Sequence, residues 1–202
     1  MDRTVRVAGS GSVQVAPDVA VLQVTAVHTA PAAVDALGGA ASASALAAER
    51  AREYVGPRQV GTHGVHLWPA HDREGRPSGF EARHALTITC TDLDHVGPLL
   101  DALAGALGDR LRVDGISLRV ADPAAVRERA VQAAYDDARA RAERLAALAG
   151  AALGPVVSLA EDDGHGGGMF LAAASLGKAD LSVEPGETSV GASVTATWQL
   201  EV

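Results

Sequence analysis

Residues 9–28 read GSGSVQVAPDVAVLQVTAVH, the stretch with the clearest strand pattern in the chain. Apolar residues alternate with small or polar ones up to residue 15, and the alternation resumes after residue 18. A period of two is typical of a strand with one buried face. Ala16-Pro17-Asp18 interrupts the pattern, because proline lacks an N–H and suits a turn or the start of a strand. The stretch therefore predicts two strands joined as a β-hairpin.

The glycines of Gly9-Ser10-Gly11-Ser12 invite comparison with a phosphate-binding loop. Such a loop places its glycines between a strand and a helix, so that the N-terminus of the helix faces the phosphates. Here more strand follows, and the chain contains no Gly-Lys-Ser or Gly-Lys-Thr. The glycines instead predict a bulge or the close approach of another backbone segment.

The remaining pattern alternates between strand and helix signals. Periodicity predicts helices over residues 32–55, 96–107 and 123–150 and strands over residues 60–68, 80–91, 113–120, 156–159 and 190–202. The order β-β-α-β-β-α-β-α-β-β indicates an α+β fold with mainly antiparallel sheets covered by helices. The length of 202 residues and the 48% apolar content suit a single domain spanning 1–202, built as one body or as two closely packed lobes.

The long third helix has the clearest boundaries. Asp122 is a natural N-cap, and Pro123 occupies the first helical position, where proline is favoured. A stripe of mostly small residues then follows the helical repeat, which predicts that the helix lies close against a sheet. The stripe consists of Ala130, Ala134, Ala138, Ala142 and Leu145.

The charge of the chain argues against several kinds of partner. The formal net charge is −8, and the arginines of the helices are interleaved with Asp and Glu, whereas a nucleic-acid-binding protein presents a basic face. No stretch approaches the roughly 18 apolar residues of a membrane span, so we expect no membrane insertion. If Met1 is the native start we expect a cytoplasmic protein, and if a leader was removed a periplasmic or extracellular one. The single cysteine, Cys90, is expected to be a small core residue.

Four groups of residues, in order along the chain, resemble the SIMPL-domain family, which includes bacterial periplasmic and outer-membrane-associated immunogens. The groups are VAGSGSV at 7–13 with APD at 16–18, TDLDHVG at 91–97 with LDA at 100–102, LAG at 148–150 with LGPV at 153–156, and PGE at 185–187 with residues 190–200. The resemblance implies an α+β domain that assembles into large, hollow, ring-like or barrel-like homo-oligomers. It also implies an association with oxidative stress and the cell envelope. It supplies no catalytic residues and no cofactor.

The histidines near residues 63–72 are candidates for a metal site. Zinc requires three or four ligands that converge on one point. The candidates are His66, His71 and Asp72, but His63 and His66 differ by three positions on a strand and point to opposite faces. The default reading is therefore a set of exposed hairpin histidines. A metal-binding or small-molecule-binding module that uses this hairpin or the loop at 162–168 remains the alternative function.

The connection at 162–187 is unusually long for a compact domain, and such loops are often functional or interfacial. It contains an apolar island, Met169-Phe170-Leu171, followed by three alanines. An exposed apolar island suits docking on a neighbouring subunit, although it also suits folding back on its own domain. The leading prediction is thus a non-enzymatic, self-assembling protein with contacts through this loop and through strand edges. No residue pattern identifies an enzyme, a cofactor or a particular small molecule.

Overall fold

The computed structural model describes residues 3–162 and 186–201. Within these ranges the chain forms seven strands and three α-helices, in the order β-β-α-β-β-α-β-α-β-β, and the α+β class is confirmed. The strands are β1 (Thr4–Val15), β2 (Val19–Ala30), β3 (Val60–His71), β4 (Pro77–Cys90), β5 (Leu111–Arg119), β6 (Ala152–Glu161) and β7 (Thr188–Glu201), and the helices are α1 (Ala33–Ala51), α2 (Val96–Leu107) and α3 (Pro123–Leu148).

The strands form two separate sheets, one in each of two compact units. The first unit holds β1, α3, β6 and β7, and its sheet has the order β1-β7-β6 with antiparallel pairing throughout. Helix α3 packs on one face of this sheet. The core between them is small, and its buried members are Val7, Ala138, Ala142, Ala196 and Trp198.

The second unit holds the remaining elements around a four-stranded sheet of order β3-β4-β2-β5, which is also antiparallel. Helices α1 and α2 contribute to the larger core of the protein, in which Leu22, Ile88 and Leu99 are completely buried. Cys90 belongs to this core, as its sequence environment predicts, and its thiol donates a 2.9 Å hydrogen bond to the carbonyl oxygen of Asp92.

The prediction of an N-terminal hairpin is wrong. β1 pairs with β7, whereas β2 pairs with β4 and β5, so the two strands around Pro17 belong to different sheets. Asp18 holds the start of β2 beside the end of β5, because its N–H donates to the carbonyl of Arg119 and its carboxylate accepts from the N–H of Ala121. Alternation identifies which face of a strand is buried but not which strand lies beside it.

The prediction that α3 lies close on a sheet is confirmed for its alanines. The buried positions recur every fourth residue and continue to Ala146, whereas Leu145 is 46% exposed, so its place in the stripe was predicted wrongly. The N-cap is also as expected, since Asp122 accepts a 2.9 Å hydrogen bond from the N–H of Ala125. The buried members of the stripe are Ala130, Ala134, Ala138, Ala142 and Ala146.

The close approach of α3 to β1 requires glycine at positions 9 and 11. A Cβ added to Gly9 would lie 2.5 Å from the backbone nitrogen of Ala138, and one added to Gly11 would lie 2.5 Å from that of Ala134. β1 pairs with β7 in an unbroken register, so these glycines mark a close backbone contact and not a bulge.

Candidate functional site

Strand β6 forms an open edge of the first sheet. Among residues 3–162 and 186–201, it pairs with β7 alone, and nothing else pairs with its other side. Three apolar side chains of the strand are strongly exposed: Val156 at 43%, Val157 at 56% and Leu159 at 58%. An exposed edge with apolar side chains is a template for pairing with another chain, because its outer N–H and C=O groups lack strand partners.

The two halves of β6 differ in regularity. Its register with β7 shifts between Leu153 and Val156 and again between Val156 and Ser158, and Pro155 lies in this irregular half. Bulges and proline protect an edge against pairing. The segment 158–161 pairs regularly with β7, so only this half presents the even spacing of donors and acceptors that an added strand needs.

The hydrogen-bond pattern shows which groups of the regular half point outward. The N–H of Asp162 donates to the carbonyl of Ser193 on β7 over 3.0 Å, so Asp162 faces its partner strand. In an antiparallel pair, residues alternate between facing the partner strand and facing away. Ala160 therefore faces β7, and the N–H and C=O groups of Leu159 and Glu161 point away from it, towards the open edge.

The end of β6 is fixed in place by side chains of the same unit. Arg127 of α3 forms an ion pair with the carboxylate of Glu161. The hydroxyl of Thr195 donates a 2.8 Å hydrogen bond to the carboxylate of Asp162. These contacts hold the regular half of the edge in a defined position without engaging its outward backbone groups.

The opposite edge of this sheet, on β1, is partly occupied. The N–H of Ser10 donates a 3.0 Å hydrogen bond to the carboxylate of Asp137, and the carbonyl of Ala8 accepts from the guanidinium of Arg141. Asp137 and Arg141 are ion-paired to each other on α3. The hydrogen bond from Ser10, with the nearby positive charge of Arg141, holds the pKa of Asp137 below its ordinary value. The middle of the β1 edge is thus closed by α3, so among residues 3–162 and 186–201 the β6 edge is the one with fewer contacts.

A second candidate region lies on the β3–β4 hairpin, where the metal ligands were predicted. The imidazole of His66 stacks on the indole of Trp68, with ring centres 5.2 Å apart and planes at 21°. The guanidinium of Arg83 lies 5.1 Å from the centre of the same indole, and its Nε donates a 2.7 Å hydrogen bond to Glu81. Trp68, Glu81 and Arg83 were not singled out from the sequence. Trp68 lies two residues from His66 on β3, and the cross-strand register places Glu81 and Arg83 beside them.

The tip of this hairpin gives the metal interpretation no support. The carboxylate of Asp72 accepts hydrogen bonds from the N–H groups of Glu74 and Arg76 and from the Arg76 guanidinium. These bonds, above all the one from the Arg76 backbone, hold the pKa of Asp72 below its ordinary value. His71 lines a cavity beside Trp68. In the described part of the chain, no three His, Cys, Asp or Glu side chains converge to hold a metal ion.

The predicted oligomer contacts Met169, Phe170 and Leu171 lie outside the described residues. Within residues 3–162 and 186–201, no helix combines the length and the apolar character that a bilayer span requires.

The fold defines an α+β protein with two antiparallel sheets, each packed with helices in its own unit. The chain belongs to the SIMPL family, described as a protein of unknown function (DUF541), which it matches over residues 5–198.

Among its relatives are bacterial proteins described as uncharacterized. The uncharacterized protein YggE of Escherichia coli K12 is 31% identical over 163 residues, which cover 75% of this chain and 62% of that protein. YggE of Shigella flexneri matches equally well, and YggE of Edwardsiella ictaluri is 31% identical over 113 residues, 54% of this chain and 46% of that protein. The chain thus spans less than two thirds of the length of these relatives.

Among solved structures, the regulatory subunit of aspartate kinase from Thermus thermophilus, in its ligand-free form, covers 90% of this chain and 86% of its own. It is 14% identical with a TM-score of 0.22, so nothing about this chain is argued from it.

Proposed function

We propose that this protein is a non-enzymatic, self-assembling protein whose subunits associate through the open edge of β6. The observation that carries the proposal is the regular segment 158–161, with outward backbone groups at Leu159 and Glu161 and with apolar side chains exposed along the strand. An association of this kind satisfies the open backbone groups and covers apolar surface at the same time.

The pairing that needs only one kind of surface joins β6 of one copy to β6 of another, antiparallel. Such a contact is isologous, so it closes with two-fold symmetry and merges two three-stranded sheets into one of six strands. An isologous contact alone stops at a dimer. A large ring or shell therefore needs a second contact, and the apolar island at 169–171 is the segment that the sequence offers for it.

The β6 contact is tested by removing one outward N–H. In Leu159→Pro the N–H that is lost points away from β7, so the pairing within the subunit is retained. The matched control is Leu159→Ala, which shortens the same side chain but keeps the N–H. The solution mass of each variant is measured by light scattering coupled to size exclusion, with negative-stain imaging of the same peak.

We expect the wild type to have a mass of at least twice 20.5 kDa and Leu159→Pro to lose the β6 contact, with Leu159→Ala retaining most of the assembly. Deletion of residues 164–182 should leave a β6-linked dimer if the loop supplies the second contact. A wild-type monomer would refute the proposal, and equal masses for wild type and Leu159→Pro would refute the role of β6.

A further inference from the structure

The hairpin residues His66, Trp68, Glu81 and Arg83, here called the Trp68 cluster, form a site that the assembly proposal does not use. Trp68 is one of the two tryptophans of the chain and is 44% exposed. In the cross-strand register, Trp68 lies opposite Glu81, and His66 lies opposite Arg83. The four side chains therefore occupy two neighbouring rows on the same face of the hairpin.

The Trp68 indole contacts both His66 and Arg83 and is still 44% exposed. The row formed by His66 and Arg83 supports the ring by stacking and by the cation–π contact. The next row towards the tip pairs Ala70 with Gly79, and these residues have almost no side chain. A cavity of about 360 Å³ lies beside Trp68, lined by Trp68, Pro69, Ala70, His71, Glu81 and Arg83. This volume lies at the lower end of the range for small-molecule sites.

The charges of the cluster narrow the class of ligand. Arg83 and Glu81 neutralise each other through an ion pair of 2.7 Å. The guanidinium of Arg83 already makes the cation–π contact with the indole, and it would repel a cationic ligand placed beside it. A polyanion such as single-stranded nucleic acid meets a chain of net charge −8, without the basic groove that such ligands require. A neutral ligand fits best.

We infer that the Trp68 cluster binds a neutral carbohydrate. One face of a pyranose ring presents C–H groups, which pack on an aromatic ring, and its rim carries hydroxyls that both donate and accept hydrogen bonds. The exposed indole of Trp68 supplies the apolar surface. Glu81 accepts from hydroxyls, and the guanidinium N–H groups of Arg83 that do not bond Glu81 donate to them. The ion pair holds both polar groups beside the indole before the ligand arrives, which lowers the ordering cost of binding.

The test uses the two indole N–H resonances of the chain of residues 1–202. Trp68 is exposed and Trp198 is 2% exposed, so one resonance reports on the site and the other is an internal reference. Maltohexaose, cellohexaose and chitohexaose are titrated separately. We expect at least one to shift the Trp68 resonance saturably and leave that of Trp198 in place, with a dissociation constant on the order of 1 mM, because a single stacked ring buries little area.

Variants separate the site from the fold. Binding to Trp68→Ala and Trp68→Phe is followed at the backbone amides of Ala70 and His71. The alanine variant should lose at least roughly tenfold in affinity, and the phenylalanine variant should bind more weakly than wild type but measurably. Val65→Ala is the matched control, since Val65 is an apolar residue of the same strand that is 50% exposed and lies outside the cluster. It should bind as wild type does.

Three outcomes would overturn the inference. The first is no movement of the Trp68 resonance with any of the three sugars at roughly ten times the expected dissociation constant. The second is a response of Trp68 to a thymidine hexanucleotide and to none of the sugars. The third is a lower solution mass for Trp68→Ala than for Val65→Ala, which would show that a second copy of the chain covers the cluster.

Discussion

Replacing Gly9 with alanine tests how closely α3 packs on the sheet of the first unit. The added Cβ would lie 2.5 Å from the backbone nitrogen of Ala138 and would also contact the carbonyl oxygen of Ala134. Comfortable contacts of this kind lie near 3.5 Å. The two nearest contacted atoms belong to the helix backbone, and the third is the Cβ of Ala138, which is fixed to that backbone, so none of them can rotate away. The helix must therefore move from the sheet by about 1 Å.

A displacement of this size weakens the packing along the whole stripe. A gap of about 0.5–1 Å removes roughly a quarter to a half of the dispersion attraction of the atoms that face it. The buried alanines of α3, each at most 1% exposed, all face the same contact. Overpacking usually costs about 1–3 kcal/mol, and a clash with backbone belongs at the upper end. We expect Gly9→Ala to lose about 3 kcal/mol, or roughly 6–12 °C in Tm for a chain of this length.

The assay is urea unfolding followed by circular dichroism, with Gly191→Ala as the matched control. That variant adds the same methyl group to β7 of the same sheet, where the nearest atom is the carbonyl oxygen of Gly11 at an ordinary 3.7 Å. Its free energy of unfolding should stay within about 0.5 kcal/mol of wild type. Equal effects of the two variants would refute the reasoning. Full rescue of Gly9→Ala by Ala138→Gly would also contradict it, because that change removes the contact with the Ala138 Cβ at 2.7 Å but leaves the closer backbone atoms in place.

Three further predictions concern local features. Gly38→Ala adds a Cβ that meets no atom within 4 Å inside α1, so it should raise the free energy of unfolding by roughly 0.5–1 kcal/mol, and an unchanged or lower urea midpoint would contradict this. The hydrogen bond from the Ser10 N–H lowers the folded-state pKa of Asp137, so ionised Asp137 stabilises the fold above about pH 4, and this stabilisation is lost as the pH falls through the folded-state pKa. Asp137→Asn should therefore flatten the decline of the urea midpoint over that acid range. Burial raises the pKa of the Cys90 thiol, so a disulfide reagent at about pH 8 should modify it far more slowly in the native protein than in urea, and equal rates would show that the thiol is accessible.

The sequence predicted the fold better than it predicted the proposed sites. His66 and His71 drew attention to the β3–β4 hairpin, but they indicated a metal. The exposed indole and its neighbours were missed, since Glu81 and Arg83 come from the facing strand and reach Trp68 only through the register of the pair. β6 was predicted as the short strand 156–159, and its role as an open edge depends on the sheet order, which no local pattern encodes.

Features that depend on neighbours along the chain could be predicted from the sequence alone. Periodicity specified the helices and strands, Asp122 and Pro123 specified where α3 begins, and the spacing of small residues specified its packing face as far as Ala142. Which strands pair could be seen only in the folded chain. β1 and β2, on either side of Pro17, belong to different sheets, although both show the same alternation. A pattern of period two fixes the buried face of a strand, but its partner is chosen by long-range packing, which only the folded chain brings together.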